Sequence, residues 1–259
     1  MGKTSNLWNA IRAEAEQLSA REHILRGFVR STVLEQPDLI ASLSALLARK
    51  LDHETLPADK LRRLVEEAML ENSNLAAVAA DLAAIETRDP AAEGFLTPFL
   101  YYKGFHALEW HRVSHWLWQN GRQDLAFFLQ SRISERLTLD THPAVPIGQG
   151  VFIDHATGIV IGETAVVGND VSILHDVTLG GTGKEHGDRH PKIRDGVLLC
   201  AGAKILGNVE IGSCAKIGAG SVVLADVPSN ATAVGVPARV VGWGDGTPPS
   251  LAMDQSLPE

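Results

Sequence analysis

The chain has 259 residues, of which 45% are hydrophobic and 21% charged, a composition typical of a globular protein with one or two domains. No apolar run reaches the roughly 18 residues of a membrane helix, the N-terminus lacks the apolar segment of a signal peptide, and the formal charge of −8 argues against a nucleic-acid surface. Two cysteines give no disulfide framework, so we expect a cytoplasmic protein whose partners include neither membrane nor nucleic acid.

The first half of the chain has the residue spacing of amphipathic helices. Asp38 is suited to start a helix, and an apolar stripe follows it. The stripe consists of Leu39, Leu43, Leu46 and Leu47. Similar stripes lie within residues 61–68 and 75–85, and a helical stretch rich in Trp and Phe extends over about residues 101–137. We therefore expect residues 1–140 to form an α-helical domain that makes subunit contacts.

The second half of the chain is rich in Gly, Val and Ile and repeats every six residues. Aliphatic residues follow this period in two unbroken registers: Ile161, Val167, Ile173 and Leu179, then Ile193, Leu199, Ile205, Ile211, Ile217 and Val223. A coil whose wall turns a corner every six residues has this period, whereas an α-helix does not, and chance repetition in a β-sandwich is disfavoured. The pattern predicts a parallel β-helix over residues 141–242, followed by a C-terminal tail of residues 243–259.

Two irregularities interrupt the repeat, and both contain His and Asp. The segment GGTGKEHGDRHPK, residues 180–192, is polar and Gly-rich and should leave the coil as a loop. The second irregularity is a two-residue offset near Val160, directly after Asp154 and His155. Functional residues concentrate on loops that a rigid scaffold holds in place, so we expect the chemistry at these two places.

Several of these residues have a structural alternative. His155 could fill the core, bind a metal or act as a base, and the neighbouring Asp154 and the register break favour a base. Asp140 could instead cap a helix end, and Asp89 could start a turn. 

Other histidines and the loop cation have equally simple explanations. Arg189 could be a solvated loop charge, and His190 could brace the loop. His111 and His115 are four apart on a predicted helix and could bind a metal, but they lack further ligands, so packing is favoured.

Longer motifs resemble those of bacterial serine O-acetyltransferases, a family of hexapeptide-repeat acyltransferases. These motifs are RDPA (88–91), KGFHAL (103–108), DTHPAVPIG (140–148), DHATGIVIGETA (154–165), VTLGGTG (177–183), GDRHPKIR (187–194) and GAKILGNVEIG (202–212). The resemblance covers roughly residues 5–255. It implies an α+β fold with an N-terminal α-helical domain followed by a left-handed parallel β-helix that carries an extended loop. It also implies transfer of acetyl from acetyl-CoA to the hydroxyl of L-serine, the first step of cysteine biosynthesis from serine.

The resemblance assigns catalytic and substrate-binding roles to individual residues. His155 matches the family's general base, and Asp140 matches the carboxylate that orients this base. Asp89 and Asp154 match the carboxylates that bind the substrate ammonium. The substrate carboxylate and hydroxyl correspond to two loop residues, Arg189 and His190.

Acetyl-CoA is implied as a co-substrate, without a metal requirement. The family lays the pantetheine arm along the coil and contacts it mainly through backbone groups. The matching positions are Gly181, Thr182, Ala201 and Ala219. Lys216 is expected to meet a phosphate of CoA, because a compact cation is a common phosphate partner.

The resemblance further implies partners and an oligomeric state. We expect a homotrimer, or a hexamer of two trimers, with active sites between neighbouring copies and a helical domain that contributes to the substrate site. L-cysteine is expected to act as a feedback inhibitor at the serine site. The chain ends MDQSLPE, without the terminal Ile that longer members insert into O-acetylserine sulfhydrylase, which argues against a stable complex with that enzyme.

Three other functions are compatible with a coil of this kind. The chain could acetylate a sugar or another small hydroxyl compound, but the predicted carboxylates and Arg189 suit an amino acid better. It could be a γ-type carbonic anhydrase that binds zinc through His155, His175 and His190, although the surrounding motifs match the transferase. A catalytically silent scaffold would not need Asp140 and His155.

Overall fold

The computed structural model describes residues 2–70, 72–183 and 186–257. Two residues of the predicted loop, 184 and 185, and the last two residues of the tail therefore lie outside the described residues. The helices are α1 (Gly2–Arg21), α2 (Arg26–Val29), which continues into a π-helical segment (Arg30–Leu34), α3 (Leu39–Leu51), α4 (Ala58–Met69), α5 (Asn72–Arg88), α6 (Leu96–Tyr101), α7 (Lys103–Gln119), α8 (Gln123–Leu137) and α9 (Pro249–Ala252). Among these described helices, none is long and apolar enough to cross a membrane.

The strands are short and follow the last long helix. They are β1 (Leu139–Thr141), β2 (Phe152–Ile153), β3 (Ile159–Ile161), β4 (Val166–Val167), β5 (Ser172–Ile173), β6 (Thr178–Gly180), β7 (Lys192–Ile193), β8 (Leu198–Leu199), β9 (Lys204–Leu206), β10 (Glu210–Ile211), β11 (Lys216–Ile217), β12 (Val222–Val223), β13 (Ala231–Gly235) and β14 (Ala238–Trp243).

The predicted helical stripes pack into a common core. The four leucines of the α3 stripe are buried, and the Asp38 carboxylate caps α3 by accepting the N–H of Ala41 at 2.8 Å. The stretch 101–137 divides into α7 and α8, because the chain turns at Gly121, whose φ of +73° suits glycine. Trp110 in α7 is buried and donates its indole N–H to a carbonyl of α3 at 3.1 Å.

The strands form three sheets that wind around one core. The sheet orders are β1-β3-β6-β9-β12, β4-β7-β10 and β2-β5-β8-β11-β13-β14, with parallel pairing apart from the β13–β14 hairpin. Each of the ten aliphatic residues in the predicted registers is at most 2% exposed. Burying an aliphatic side chain of this size contributes roughly 1.5–3 kcal/mol, so the six-residue repeat supplies the core of the coil. The predicted left-handed parallel β-helix is confirmed.

The pairing register locates both irregularities of the repeat. A regular turn of the coil takes 18 residues, as from Ile205 to its partner Val223. Thr141 pairs with Ile161, 20 positions later, so two extra residues sit in the corner before β3. Leu179 pairs with Ile205, 26 positions later, because the chain leaves the wall between β6 and β7. The predicted loop and the predicted offset are therefore both present.

A buried charged cluster joins the helices to the coil. Arg112 donates to Oδ2 of Asp81 at 2.5 and 3.0 Å and to the carbonyls of residues 147 and 148 at 3.2 and 2.7 Å, respectively. Glu109 is fully buried beside them, and burial raises the pKa of both its carboxyl and that of Asp81. Such a cluster is costly to break, so it fixes α5 and α7 against the first coil.

The N-terminus of α7 touches the coil directly. A Cβ atom at Gly104 would lie 1.9 Å from the carbonyl oxygen of Ile153, so only glycine permits this approach. Ile153 is followed by Asp154 and His155. The helical domain therefore packs against the corner that carries the predicted catalytic histidine.

The two ends of the coil are formed by β1 and by the strands that precede the tail. Asp140, assigned to the end of the helical domain, lies in β1, the first strand of the coil. After β14 the tail folds back along the third sheet, where Met253 packs against a small buried cluster with Leu198 and Cys200.

Candidate active site

The corner between β2 and β3 presents His155 to solvent. The His155 side chain is 71% exposed, and its Nε2 lies 3.6 Å from Oδ1 of Asp154. His155 and Ala156 both have a φ of +59°, a left-handed conformation that costs an ordinary residue about 1–2 kcal/mol. The two extra residues of this corner thus move the imidazole out of the wall. His155 is not a core residue.

A cavity of about 520 Å³ opens beside His155. Its lining includes Asp89, Tyr102 and Asp154. Burial raises the pKa of Asp154, and the charge of Asp89 adds to the rise, whereas His155 opposes it. Burial, together with a hydrogen bond to Asp89, also raises the pKa of the Tyr102 phenol. The cavity therefore offers two carboxylates to a small cationic group.

Arg189 and His190 lie at a different corner, next to the turn from β3 to β4. Arg189 donates to Oε2 of Glu163 at 2.9 Å. The Thr164 hydroxyl accepts the backbone N–H groups of Arg189 and His190 at 3.0 and 3.1 Å and lies 2.9 Å from Nδ1 of His190. The returning end of the predicted loop is therefore anchored to this corner.

Asp140 and the residues of this second corner act on the same neighbouring histidine, His142. Its Oδ1 accepts the side-chain amide N–H of Gln130, from α8, at 2.8 Å. Burial lowers the pKa of the nearby His142, while Glu163 and Asp140 oppose the shift and Arg189 adds to it. The pKa of His142 thus depends on both Asp140 and Arg189.

A single chain separates the predicted residues into two groups. The first half-site consists of Asp89, Asp154 and His155, and the second half-site consists of Asp140, Arg189 and His190. Among the described residues, His155 has an ion pair with Asp154, and no ion pair or hydrogen bond joins His155 to Asp140. One copy of the chain therefore does not bring the predicted base and its carboxylate together.

The His155 corner is repeated in each following coil. Three backbone hydrogen bonds connect these corners: Asp176 N to Thr157 O at 2.7 Å, Gly202 N to His175 O at 3.0 Å and Gly220 N to Ala201 O at 2.9 Å. Ala201 and Ala219 therefore share one column with His155, and Ala219 is three coils beyond it, about 14 Å at the usual strand spacing.

The other predicted CoA residues lie elsewhere. Gly181 and Thr182 follow β6 at the start of the loop, and Thr182 lies beside Gly207 of the next coil. They are thus on the loop side of the coil, with the second half-site. The ammonium of Lys216 donates to the carbonyls of residues 254 and 256 in the tail at 3.3 and 2.6 Å, so in this conformation the tail holds it.

The histidines of the zinc alternative are not gathered in one place. The rings of His155 and His175 are 6.0 Å apart, while His190 lies in the second half-site. The part of the chain that the structure describes has no group of three His, Cys, Asp or Glu side chains that could hold a metal. His111 and His115 each bond a backbone carbonyl at the start of the coil, at 2.9 and 2.8 Å, as packing residues do.

Two family models and a close relative match this chain. The model for the N-terminal region of serine acetyltransferases matches residues 7–110, and the bacterial transferase hexapeptide model matches residues 190–225. The serine acetyltransferase of Escherichia coli (strain K12) is 56% identical over 250 residues, which cover 96% of this chain and 92% of the relative. The chain belongs to the serine acetyltransferase family.

Solved structures agree with this assignment. A serine acetyltransferase in complex with cysteine has a TM-score of 0.96 and 51% identity, covering 98% of this chain and 99% of that one. The enzyme from Brucella abortus strain S19 in complex with coenzyme A has a TM-score of 0.90 and 51% identity, covering 92% and 96%. The predicted family, the fold and the class of enzyme, an acetyl-CoA-dependent acyltransferase, are confirmed, and nothing supports the carbonic anhydrase alternative.

The structure adds residues that sequence reasoning did not select. Tyr102 and Lys103 line the cavity, Gln130 bonds Asp140, and Glu163 and Thr164 hold the loop. Three of these residues lie within family motifs, Lys103 in KGFHAL and both Glu163 and Thr164 in GETA. Their position in these motifs could have identified them as site residues. Gln130 lies in an ordinary helical stretch that carries no such signal.

Proposed function

We propose that the chain transfers the acetyl group of acetyl-CoA to the hydroxyl of L-serine with His155 as the general base. The observation that carries this proposal is the exposed imidazole beside a cavity with two carboxylates, in a column of corners that also contains Ala201 and Ala219. Imidazole titrates near neutrality, so it can take a proton from serine and later return it.

The reaction then needs one proton acceptor and one acyl donor. His155 removes the hydroxyl proton of serine as the oxygen attacks the thioester carbonyl. The carbon–sulfur bond breaks, and the sulfur leaves with its electron pair. The imidazolium returns the proton to this sulfur, which gives CoA and O-acetyl-L-serine.

The charges near His155 suit a zwitterionic amino acid. Asp89 and Asp154 would bind the ammonium, since a cavity with two carboxylates favours a cation. Arg189 would bind the carboxylate, and its contact with Glu163 orients the guanidinium. A neutral sugar acceptor would offer no opposite charge to these groups, whereas the two ends of an amino acid would.

A complete site needs the second half-site of a neighbouring copy. We infer that the chain forms a trimer in which the loop side of one coil meets the His155 corner of the next. Head-to-tail contacts of this kind close into rings when the rotation permits. Asp140 of a neighbour would then orient His155 and stabilise the imidazolium, as the carboxylate of a catalytic triad does. Association of two such trimers into a hexamer is a further prediction.

The corner column would hold acetyl-CoA. Ala201 and Ala219 leave room for an extended pantetheine arm beside backbone groups, with Gly181 and Thr182 supplied from the loop side. Lys216 would contribute to phosphate binding once the tail releases its ammonium. No metal enters this scheme.

Other predictions extend from the same assignment. L-cysteine would bind at the serine site, because it differs from serine in one atom and a related enzyme is solved with cysteine. The division at residues 140 and 242, the cytoplasmic location and the absence of a stable complex with the sulfhydrylase stay predictions.

The test is thiol release from acetyl-CoA with L-serine as acceptor. His155→Asn is the informative variant, because Asn tolerates a left-handed φ but is no base. We expect it to keep its oligomeric state and lose on the order of 100- to 10,000-fold in kcat. Native turnover by the folded variant would disprove the role of His155.

A second arm of this assay addresses the substrate and the metal. Thiol release with L-serine as acceptor should survive exhaustive chelation. A neutral sugar in place of L-serine should give no thiol release. Release that chelation abolishes, and that added zinc restores, would overturn the proposed chemistry.

A further inference from the structure

The ammonium of Lys103 connects the helical domain to the His155 corner. Lys103 is the first residue of α7, and its Nζ donates to the hydroxyl of Thr157 at 2.7 Å and to that of Thr138 at 2.9 Å. Thr157 belongs to the irregular corner, and Thr138 follows α8 just before β1. One side chain thus links three segments that meet beside the cavity.

The contact with Thr157 continues to the backbone of His155. The Thr157 hydroxyl lies 3.4 Å from the carbonyl oxygen of His155. An ammonium only donates hydrogen bonds, so Thr157 must accept from Lys103, and its single hydroxyl proton remains available for that carbonyl. The direction of both hydrogen bonds is therefore set by the lysine.

The corner needs such support because its backbone is strained. His155 and Ala156 have left-handed φ values, and Gly158 follows at +74°. Ordinary residues keep this conformation only where surrounding contacts enforce it. On the coil side, the N–H of Gly158 bonds the carbonyl of Thr138 at 3.2 Å. Lys103 provides the corresponding contact from the helical domain.

Gly104 fixes the place from which Lys103 reaches the corner. Its contact with the carbonyl of Ile153 allows the first turn of α7 to lie directly on the coil. Lys103 also lines the cavity that contains Asp89 and Asp154. The bridge therefore lies within the candidate active site and not at a remote surface.

We propose that Lys103 is a positioning residue, whose ammonium, acting through Thr157, holds the left-handed corner that aims His155 at the substrate. This inference rests on the proposed role of His155 as the base. Lys103 itself transfers no proton and is not required for binding acetyl-CoA.

The test compares Lys103→Met, Lys103→Arg and Thr157→Val with the native chain. We expect Lys103→Met to lower kcat on the order of 10- to 100-fold, as misplacement of a reacting group does, while the KM for acetyl-CoA stays near its native value. Lys103→Arg retains donors and should recover part of kcat. The double variant, Lys103→Met with Thr157→Val, should have a kcat only slightly below that of the less active single variant. The reason is that the two substitutions break the same linkage.

The matched control is Thr138→Val. It removes the other hydrogen bond of the same ammonium with an isosteric side chain, but no hydrogen bond joins Thr138 to His155 among the described residues. We expect a much smaller loss of kcat than in Thr157→Val. Thermal unfolding and size-exclusion profiles of all variants show whether fold and assembly are retained.

Three outcomes would overturn the proposal. They are a native kcat in folded Lys103→Met, losses that add fully in the double variant, and equal losses in Thr138→Val and Thr157→Val. His155→Asn is measured alongside. If it is active, the proposed base is wrong; if it is inactive while Lys103→Met is native, only the positioning role is wrong.

Discussion

At the residue scale, the two carboxylates near His155 have different surroundings. Asp154 is half-buried, and burial raises its pKa, whereas Asp89 is tied to the phenol of Tyr102. The raised pKa disfavours the ionised form of Asp154, which is the form that would bind an ammonium. Sequence reasoning selected both residues but could not distinguish them, because the difference arises from Tyr102 and from burial.

Replacing Asp89 should weaken serine binding selectively. In Asp89→Asn the shape is preserved but the charge is lost, and a charge-assisted hydrogen bond of about 1.5–3 kcal/mol becomes a neutral one. We expect the KM for serine to rise on the order of 10- to 100-fold, with the KM for acetyl-CoA unchanged. Steady-state kinetics with each substrate varied in turn measure this. An unchanged KM for serine would remove Asp89 from the site.

His111 should make the stability of the protein depend on pH. Burial, followed by His115 and Arg112, lowers the pKa of His111 to about 3. Below the unfolded pKa of about 6.5 the unfolded chain takes up a proton that the folded chain excludes, so this residue's contribution to stability is lost as pH falls from about 6.5 towards 3.

His111→Gln removes this titration and should flatten the pH dependence. The slope of the unfolding free energy between pH 6.5 and 5 should decrease by up to about 1.4 kcal/mol per pH unit. Urea unfolding at several pH values measures it, and His186→Gln on the exposed loop serves as the control. Parallel native and His111→Gln curves would contradict the neutral, buried state of His111.

At the scale of elements, the sequence predicted the coil best. The aliphatic side chain recurs every six residues because each short strand of the wall points one such side chain inward at the same position. The repeat is therefore visible within a short stretch of sequence. The turn at Gly121 was not predicted, since the apolar residues of α7 and α8 continue across it. The bridge from Lys103 to Thr157 spans 54 positions, and no local pattern contains such a contact.

The contact between α7 and the coil gives a prediction at this scale. Gly104→Ala would place a methyl group 1.9 Å from the carbonyl of Ile153, so the helix must shift away from the coil. We expect a loss of stability of about 1–3 kcal/mol from overpacking, together with a lower kcat as Lys103 moves. Gly27→Ala is the control, because its Cβ would have no neighbour within 4 Å. Thermal unfolding and kcat measure both effects, and equal behaviour of the two variants would contradict the account.

At the scale of the whole molecule, one chain carries two half-sites that do not meet. The residues of each half-site were predicted from motifs, and the resemblance implied active sites between neighbouring copies. Which residue belongs to which half-site was not predicted, because that depends on which corner of the coil each motif occupies. The first half-site lies where β2 turns into β3, and the second lies where the loop returns to the wall. In the proposed trimer, a neighbouring copy would join the two half-sites.

The most direct test of this arrangement uses two inactive variants, Asp140→Ala and His155→Asn, produced separately and as mixed oligomers from a co-expressed pair. If each site takes His155 from one copy and Asp140 from the next, random mixing leaves about a quarter of the sites intact in a ring of identical contacts. We predict that the mixed oligomers release thiol from acetyl-CoA with L-serine at about that fraction of native activity. Mixed oligomers as inactive as either parent would show that the two residues act within one chain and would contradict the shared site.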